Sequence, residues 1–226
     1  MQRLASVRQI PLRFAATLAM VGSGVLFGYL SAFVTIVVAL AVADLVTSLH
    51  RLVRARERVK WHALPLLASA FIYLSLMTEF FEIWRFTAFT RLSFYGLLFN
   101  MSEPLLAFLA AAAVLPDEVP PEGLDLDLFY FHERGYIWGA MFLGLIASTA
   151  INVIERPLQR LAFDAASLRF WGETLLLTVA LLVLIWSRRR WLHALCIIAM
   201  LGIAQAGYSI WTVRGLPATM SPQSTH

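Results

Sequence analysis

Apolar residues along the chain fall into six long runs that are separated by short polar or charged segments. Each run reaches the roughly 20 residues that a helix needs to cross the hydrocarbon of a bilayer, and helices are the structure expected of such runs. The pattern therefore predicts an all-α fold, a polytopic transmembrane helix bundle with six spans. The predicted spans are residues 24–49, 62–86, 92–115, 135–154, 168–187 and 191–213.

The two ends of the chain lie outside this pattern. Residues 1–23 combine Arg3, Arg8 and Arg13 with a short apolar piece at 14–21. A signal peptide has similar charges, but the apolar stretch that continues from residue 24 is too long for a signal core. We therefore expect an uncleaved segment that lies at the interface, re-enters the membrane as a hairpin or forms a seventh span. Residues 214–226 are expected to form a disordered tail.

Tryptophan gives an independent check on the span boundaries. All seven tryptophans lie within a few residues of a predicted span end. Because indole rings prefer the headgroup level of a bilayer, this distribution supports the predicted boundaries. The seven are Trp61, Trp84, Trp138, Trp171, Trp186, Trp191 and Trp211.

A dense basic cluster follows the first span and sets the orientation. It holds five of the 18 Lys and Arg residues of the chain. Basic residues near span ends tend to stay in the cytoplasm, so this loop is predicted to lie inside, and a hairpin at 1–23 would add three more arginines there. We expect a multi-pass protein of the bacterial inner (cytoplasmic) membrane. The cluster is Arg51, Arg54, Arg56, Arg58 and Lys60.

Composition agrees with a bilayer environment. The 226 residues are 60% apolar and 14% charged, whereas a soluble domain is about half apolar and a quarter charged. The mean hydropathy is +0.73. The net charge of +4 is modest, and the basic residues are concentrated at the ends of the predicted spans. Their distribution therefore indicates the membrane topology, and no nucleic-acid partner is expected.

Acidic residues inside the spans are the leading functional candidates, because a charge within a membrane is costly. Glu103, Glu79 and Asp44 lie within predicted spans, and Asn100 lies one turn before Glu103. Glu103 also precedes Pro104, which disrupts a helical hydrogen bond. The pattern favours a path for protons or small cations, and a protonated Glu103 acting as a structural hydrogen-bond donor is the alternative.

Two further acids have a simpler interpretation. Glu82 with Arg85, and Glu173 with Arg169, stand three or four residues apart on one helix. Residues at these spacings are neighbours on a helix surface, so local ion pairs near the membrane surface are expected for both.

Four histidines are predicted to gather at the inner face of the membrane. Imidazole is a common ligand of transition metals and haem, so a metal- or haem-binding redox protein is a second functional hypothesis. No paired-histidine motif strengthens it, and solvated or titrating histidines are the alternative. The four are His50, His62, His132 and His193.

Known catalytic motifs are missing from the sequence. There is one cysteine, Cys196, and no GxSxG, Walker or HExxH pattern occurs. The sequence therefore favours a protein that is not an enzyme, and no cofactor is expected.

Small residues recur at four-residue spacing on the first and fourth spans. Such stripes allow helix backbones to approach closely in lipid. They predict contacts within one subunit or, alternatively, a self-association face, and in the second case the chain is a homo-oligomer or a non-catalytic subunit or scaffold of a membrane complex. Apart from the lipid bilayer, these are the partners expected. The residues are Gly24, Gly28, Gly135, Gly139, Gly144 and Ser148.

Two stretches at the inner face complete the picture. Residues 124–128 alternate Leu and Asp, and because an isolated strand has nothing to pair with, we expect an amphipathic segment at the interface. Residues 62–68 resemble residues 193–199, and each stretch follows basic residues and a tryptophan. The likeness is short and does not predict a transporter repeat.

The first two spans carry a resemblance to a known group. Tyr29, Leu30 and Ser31 are followed by Ala43, Asp44 and Leu45, and then by Ser48, Leu49, His50, Arg51, Leu52 and Trp61. This pattern resembles a widespread group of bacterial integral membrane proteins with six helices. The resemblance implies a bacterial origin and a six-helix bundle. The group carries no established activity, and residues 1–23 are an addition to its pattern.

Overall fold

The protein is built almost entirely of helices. A computed structural model describes residues 3–82, 94–155 and 165–208. Within them the connections at 55–62 and 115–125 each contain a two-residue strand, β1 (Val59–Lys60) and β2 (Leu124–Asp125). The all-α class is therefore confirmed. The helices are α1 (Arg3–Arg54), α2 (Ala63–Glu82), α3 (Phe94–Val114), α4 (Leu126–Glu155), α5 (Ala165–Trp186) and α6 (Arg190–Tyr208).

Four helical segments in the described part of the chain are long and apolar enough to cross a membrane. In α6 the apolar stretch Arg190–Ile203 is shorter. Many large apolar side chains point outward, as Leu175 and Val179 do on α5, and hydrocarbon is the solvent that suits such a surface. The four segments are Phe27–Arg54, Ala63–Phe81, Tyr95–Val114 and Leu168–Trp186.

The helices pack as a closed ring. Each helix contacts the next in the order α1, α3, α4, α5, α6 and α2, and the ring is completed by the contact between α2 and α1. Helix α2 also contacts α3 and α4, so it lies towards the inside of the bundle. The most extensive contact joins α3 to α4, where Ala107, Ala110, Ala111 and Ala140 are buried. Small side chains let two helix backbones approach closely, which is how helices associate in lipid.

Helix α1 differs from the expected division of the N-terminal region. It runs without a break from Arg3 to Arg54, so the boundary at residue 23 and a hairpin turn within 1–23 are not seen. Between residues 14 and 54 there is no proline and only one acid, Asp44, and glycine alone does not end a helix of this kind. The expected tail at 214–226 lies outside the described residues.

The connections at 55–62, 115–125 and 187–189 lie together at one end of the bundle, called here the connection end. Strands β1 and β2 pair in parallel, with Val59 opposite Leu124 and Lys60 opposite Asp125. The expectation that residues 124–128 form no strand is therefore wrong. The first two of these residues pair with a strand that the sequence pattern did not reveal, and α4 begins at Leu126.

Gly123 makes the strand pairing sterically possible. Its φ of +99° lies in the region that only glycine adopts readily. A Cβ atom at this position would also stand 3.0 Å from the carbonyl oxygen of Arg58 on the neighbouring connection. A side chain here would force the two connections apart.

Polar contacts link the three connections to one another. Ser48 Oγ donates to Asp117 Oδ1 over 3.0 Å, and Arg51 donates to the Asp117 carbonyl over 3.0 Å. His62 Nε2 lies 3.5 Å from Asp125 Oδ1, at the start of α4. The connection end is thus one linked surface.

An ion pair ties the α5–α6 connection to this surface. Arg190 Nη2 lies 2.5 Å from Asp127 Oδ2, and Asp127 is almost fully buried. Because a buried carboxylate without a partner is costly, the pair fixes the start of α6 against the start of α4.

Candidate functional site

A cavity of about 290 Å³ lies inside the bundle, between five of the six helices. Helix α1 contributes no lining residue. Most of the wall is apolar, and the polar part consists of three glutamates together with Ser75 and Thr78. We call it the carboxylate cavity. Its apolar lining is Phe71, Ala107, Ala140, Met141, Gly144, Leu145, Leu177, Leu181, Met200 and Ile203.

The three glutamates come from three different helices. Glu79 lies near the end of α2, Glu103 near the middle of α3 and Glu173 in the first half of α5. All three are partly buried. Helices α2, α4 and α6 begin at the connection end, and α1, α3 and α5 end there, so Glu79 and Glu173 lie in the half of the molecule away from the connection end and Glu103 lies near its middle. Glu79 and Glu103, predicted to belong to one path, do line one cavity.

Local structure explains how each glutamate is held. Arg169 Nε donates to Glu173 Oε1 over 2.6 Å, which confirms the local pair expected on α5. Glu79 and Glu103 also take part in interactions within the chain. The three carboxyl groups therefore have defined positions. The pair expected between Glu82 and Arg85 lies outside the described residues.

The backbone beside Glu103 is irregular in hydrogen bonding. Pro104 lies inside α3 and has no N–H, so the carbonyl of Asn100 lacks its helical donor. The Asn100 side chain is buried and donates to the Gly96 carbonyl over 2.6 Å. Pro104 thus removes one helical hydrogen bond within a turn of Glu103.

Two of the residues predicted for the path do not line the cavity. Asn100 is buried within α3 but is not a wall residue, and Asp44 lies on α1, which does not reach the cavity. Asp44 is partly buried one turn before Ser48, at the connection end. Its nearest polar surroundings are therefore those of the linked connections.

Phe71 and Trp138 close the cavity towards the connection end. Phe71 is a wall residue, and its ring centroid lies 5.9 Å from that of the fully buried Trp138. On α2 and α4 the cavity residues Ser75 and Ala140 come next towards the far end. The two aromatic rings thus form an apolar layer between the cavity and the polar groups below it.

Below that layer lies a buried hydrogen-bond network. Trp138 Nε1 donates to the Tyr130 hydroxyl over 3.0 Å, and this hydroxyl lies 2.8 Å from His193 Nδ1. His193 Nε2 lies 3.0 Å from the Ser187 carbonyl oxygen. A carbonyl only accepts, so Nε2 carries a proton, and in the neutral ring Nδ1 accepts from Tyr130. We call these four residues the tyrosine–histidine network.

The histidines expected to form a metal or haem site are not brought together. His193 is fully buried with both ring nitrogens engaged, while His62 lies by Asp125. His132 lies 3.7 Å from Glu133, and His50 is exposed on α1. Over the described ranges, no group of three or more His, Cys, Asp or Glu residues is arranged to hold a metal ion.

The small residues divide into two sets. A Cβ atom on Gly28, Gly135 or Gly139 would meet nothing within 4 Å, so contacts with the described residues of the same chain do not explain these positions. Gly144 is buried, and its Cβ would stand 3.9 Å from Leu106 Cβ on α3. Gly144 therefore serves packing inside the subunit and is no part of an outward face. Gly24 lies within α1 and Ser148 within α4.

The described tryptophans also fall into two groups, one exposed and one buried. Trp61, Trp171, Trp186 and Trp191 are exposed near helix ends, as the interface interpretation requires. Trp138 lies well inside α4 and is fully buried, so its position reports interior packing. Trp84 and Trp211 lie outside the described residues.

Sequence reasoning missed three of the residues that matter here. The sequence analysis predicts only a surface ion pair for Glu173, although Leu177 and Leu181 follow it at four-residue spacing and line the same cavity. This spacing places the three residues on one face of α5, and it is the sequence signal that could have indicated the role of Glu173. Tyr130 and Trp138 were missed because an eight-residue spacing on one helix gives no sign of a partner on another helix.

Comparisons of the chain with protein-family models, with curated protein sequences and with solved structures gave no match. The class that the fold itself defines is a helical protein that has, among its described residues, four segments long and apolar enough to cross a membrane. Its function has to be inferred from the cavity and the groups around it.

Proposed function

We propose that the protein passes protons or small cations across the membrane through the carboxylate cavity. One observation carries this proposal: Glu79, Glu103 and Glu173, from three separate helices, line the same cavity. Ionisable residues within membrane helices are rare, and ion pathways and proton relays are among the functions that they typically mark. Glu173 is paired with Arg169, and two more carboxyl groups from other helices line the same cavity, an arrangement that favours a bound positive charge.

The groups on either side of the Phe71–Trp138 layer suit such a path. The cavity contains carboxyl groups. The tyrosine–histidine network contains a hydroxyl group that is hydrogen-bonded to an imidazole, and such a pair is able to exchange a proton. The apolar layer between them prevents continuous passage. A transported proton or cation therefore moves in two stages, with the aromatic rings as the barrier.

The proposed topology has all six helices crossing the inner membrane of a bacterium, with the connection end in the cytoplasm. Three observations support it: α4 packs between α3 and α5, α6 packs between α2 and α5, and the three described connections share one end. The connection end carries the Arg-rich loop, and such loops stay in the cytoplasm. Residues 3–23 of α1 continue beyond the apolar segment Phe27–Arg54.

Flux measurements on proteoliposomes test the function. Purified protein is reconstituted with an internal dye that is sensitive to pH, Na⁺ or K⁺, and influx of the matching ion is driven by a gradient. Glu103→Gln and Glu79→Gln keep the side-chain shape and remove the charge, so flux should fall towards that of protein-free liposomes. Asp44→Asn is the matched control, because it makes the same chemical change on a helix that does not reach the cavity.

The comparison between these variants decides the proposal. A loss of flux in both glutamate variants, with Asp44→Asn unchanged, supports it. Flux that survives in Glu103→Gln and Glu79→Gln, or that Asp44→Asn removes equally, contradicts it. Each variant is first checked for a monodisperse profile in detergent, so that misfolded protein is not scored as inactive.

A further inference from the structure

A groove of about 610 Å³ lies on the outside of the bundle, between the beginnings of α2 and α6. Its wall on α2 is apolar and includes Leu64 and Leu67, and its wall on α6 includes Arg190, Trp191 and Ala194. Ala63 and Ala70 also line it, and both are exposed. The groove is separate from the carboxylate cavity and shares no lining residue with it.

Alanine explains why the groove exists. Ala63, Ala70 and Ala194 stand where larger side chains would fill the space between two neighbouring helices. The result is an open apolar channel that begins at the connection end and runs along the bundle. Its width comes from side-chain size, so a larger residue at Ala194 would close it.

The mouth of the groove is strongly basic. Arg188, Arg189 and Arg190 are consecutive and exposed at the beginning of α6, and exposed Lys60 precedes the beginning of α2. Arg190 shares one Nη2 contact with Asp127, yet its side chain is 69% exposed, so other guanidinium N–H groups face outward. Exposed Trp191 stands beside them, at the level where indole rings meet lipid headgroups.

The acids near the mouth do not cancel this charge. Asp127 is buried and already paired with Arg190, and Asp125 Oδ1 accepts from the backbone N–H groups of Asp127 and Leu128 at the start of α4. The exposed part of the mouth is therefore positive. It complements a phosphate group.

The two helices that form the groove are those whose beginnings resemble each other in sequence. Residues 62–68 follow Lys60 and Trp61, and residues 193–199 follow the three arginines and Trp191. The structure places these two similar beginnings side by side. Each is preceded by an exposed basic residue and an exposed tryptophan, and on α6 Arg190 and Trp191 line the groove itself.

We propose that this groove is a binding site for an anionic phospholipid. The phosphate lies on Arg188, Arg189 and Arg190, and one acyl chain lies in the channel lined by Ala63, Leu67 and Ala194. Basic pockets between membrane helices on the cytoplasmic side bind anionic headgroups in this way. The site does not depend on ion passage, because it uses none of the residues of the carboxylate cavity.

Native mass spectrometry in detergent tests the site with two lipids that differ only in headgroup. Dioleoylphosphatidylglycerol is anionic and dioleoylphosphatidylcholine is not, while their acyl chains are identical. The double variant Arg188→Gln, Arg189→Gln should weaken phosphatidylglycerol binding by about 30-fold, at about 1 kcal/mol for each basic residue near the headgroup. Arg54→Gln, Arg56→Gln removes the same charge from exposed positions outside the groove and should have little effect.

A groove-filling variant tests the acyl-chain half of the site. Ala194→Phe should weaken binding of both lipids, whereas Ala199→Phe, an exposed position that does not line the groove, should not. Equal binding of the two lipids to the unaltered protein, or equal loss in the two double arginine variants, overturns the proposal. Displacement of bound lipid by inorganic phosphate also overturns it, since the site then recognises a free anion.

Discussion

At Tyr130, Trp138 and His193, three buried polar side chains depend on one another for hydrogen bonds. Each of these side chains is fully buried, so water cannot replace a lost partner. The Tyr130 hydroxyl is the central member, since it accepts from one neighbour and donates to the other. A change at this one oxygen therefore leaves two other residues unsatisfied.

Tyr130→Phe removes that oxygen and keeps the ring. Each buried group left without a partner costs about 1–3 kcal/mol of unfolding free energy, so the variant should be clearly less stable. Tyr136→Phe is the matched control, because Tyr136 is 52% exposed on the same helix, and its effect should stay within about 0.5 kcal/mol. The thermal stability of each variant is measured by the loss of its monodisperse peak on heating. Equal stability of the two variants would show that the network contributes nothing.

Among the elements, the beginning of α4 is defined by hydrogen bonds that come from outside the helix. Strand β2 ends at Asp125, whose Oδ1 accepts from the backbone N–H groups of Asp127 and Leu128 over 3.0 and 3.3 Å. Those first N–H groups have no partner inside the helix, so the carboxylate caps it. These hydrogen bonds, with the Leu128 N–H contributing most, hold the pKa of Asp125 below its ordinary value of 3.8.

This cap predicts a loss of stability in acid. The pKa of Asp125 is lower in the folded protein than in the unfolded chain. The cap therefore stabilises the fold fully at pH values above the unfolded pKa, and this stabilisation disappears as the pH falls through the folded pKa. Asp125→Asn still accepts from the N–H groups but does not titrate there. Between about pH 6 and about pH 3, the unaltered protein should lose more thermal stability than Asp125→Asn.

Glu122→Gln serves as the control for the acid experiment. Glu122 is an exposed carboxylate three residues away, and its variant should keep the full acid loss of the unaltered protein. If Asp125→Asn loses as much stability in acid as Glu122→Gln, the cap does not account for the effect.

The sequence alone was sufficient to predict most of the helices, but it was insufficient to predict which residues meet across different helices and strands. Four of the predicted spans have described helices whose bounds lie within about five residues of the expected positions, because runs of apolar residues between Arg, Asp and Pro define them directly. Helix α4 begins nine residues before the predicted span, and α1 extends beyond its span at both ends. The strand at Leu124 could not be predicted, since its partner at Val59 lies beyond two helices. Likewise Glu79 and Glu103 were recognisable as membrane acids, but their shared cavity with Glu173 depends on how helices pack.

Over the whole molecule, the ring of helices produces two different surfaces for charge. The carboxylate cavity collects acids inside the bundle, in its middle and far half, while arginines collect outside, at the connection end. This separation follows from helices that alternate in direction along the chain, with all the described connections at one end. In the proposed topology, α4 and α6 traverse the same thickness as the four described segments that are long and apolar enough to cross a membrane.

Single cysteines in a Cys196→Ala background test this topology. With a membrane-impermeant maleimide on intact spheroplasts, Ala88→Cys, Arg160→Cys and Ala218→Cys should label. Glu122→Cys should label only after the membrane is opened. Arg160→Cys and Ala218→Cys are decisive for α4 and α6, because protection at either position would mean that the preceding helix does not cross.

The pairing of β1 with β2 has a consequence for biosynthesis. Strand β1 precedes α2 and α3 in the chain, and β2 follows them, so the two strands meet only after both helices have been translated. In the proposed topology, the charge of the basic loop at the end of α1 keeps it at the cytoplasmic surface until then. Translation of the first three helices therefore precedes the hydrogen bonding that joins their connections, and a chain stalled before Gly123 would hold α1 and α2 without the strand pair that links their connection to the start of α4.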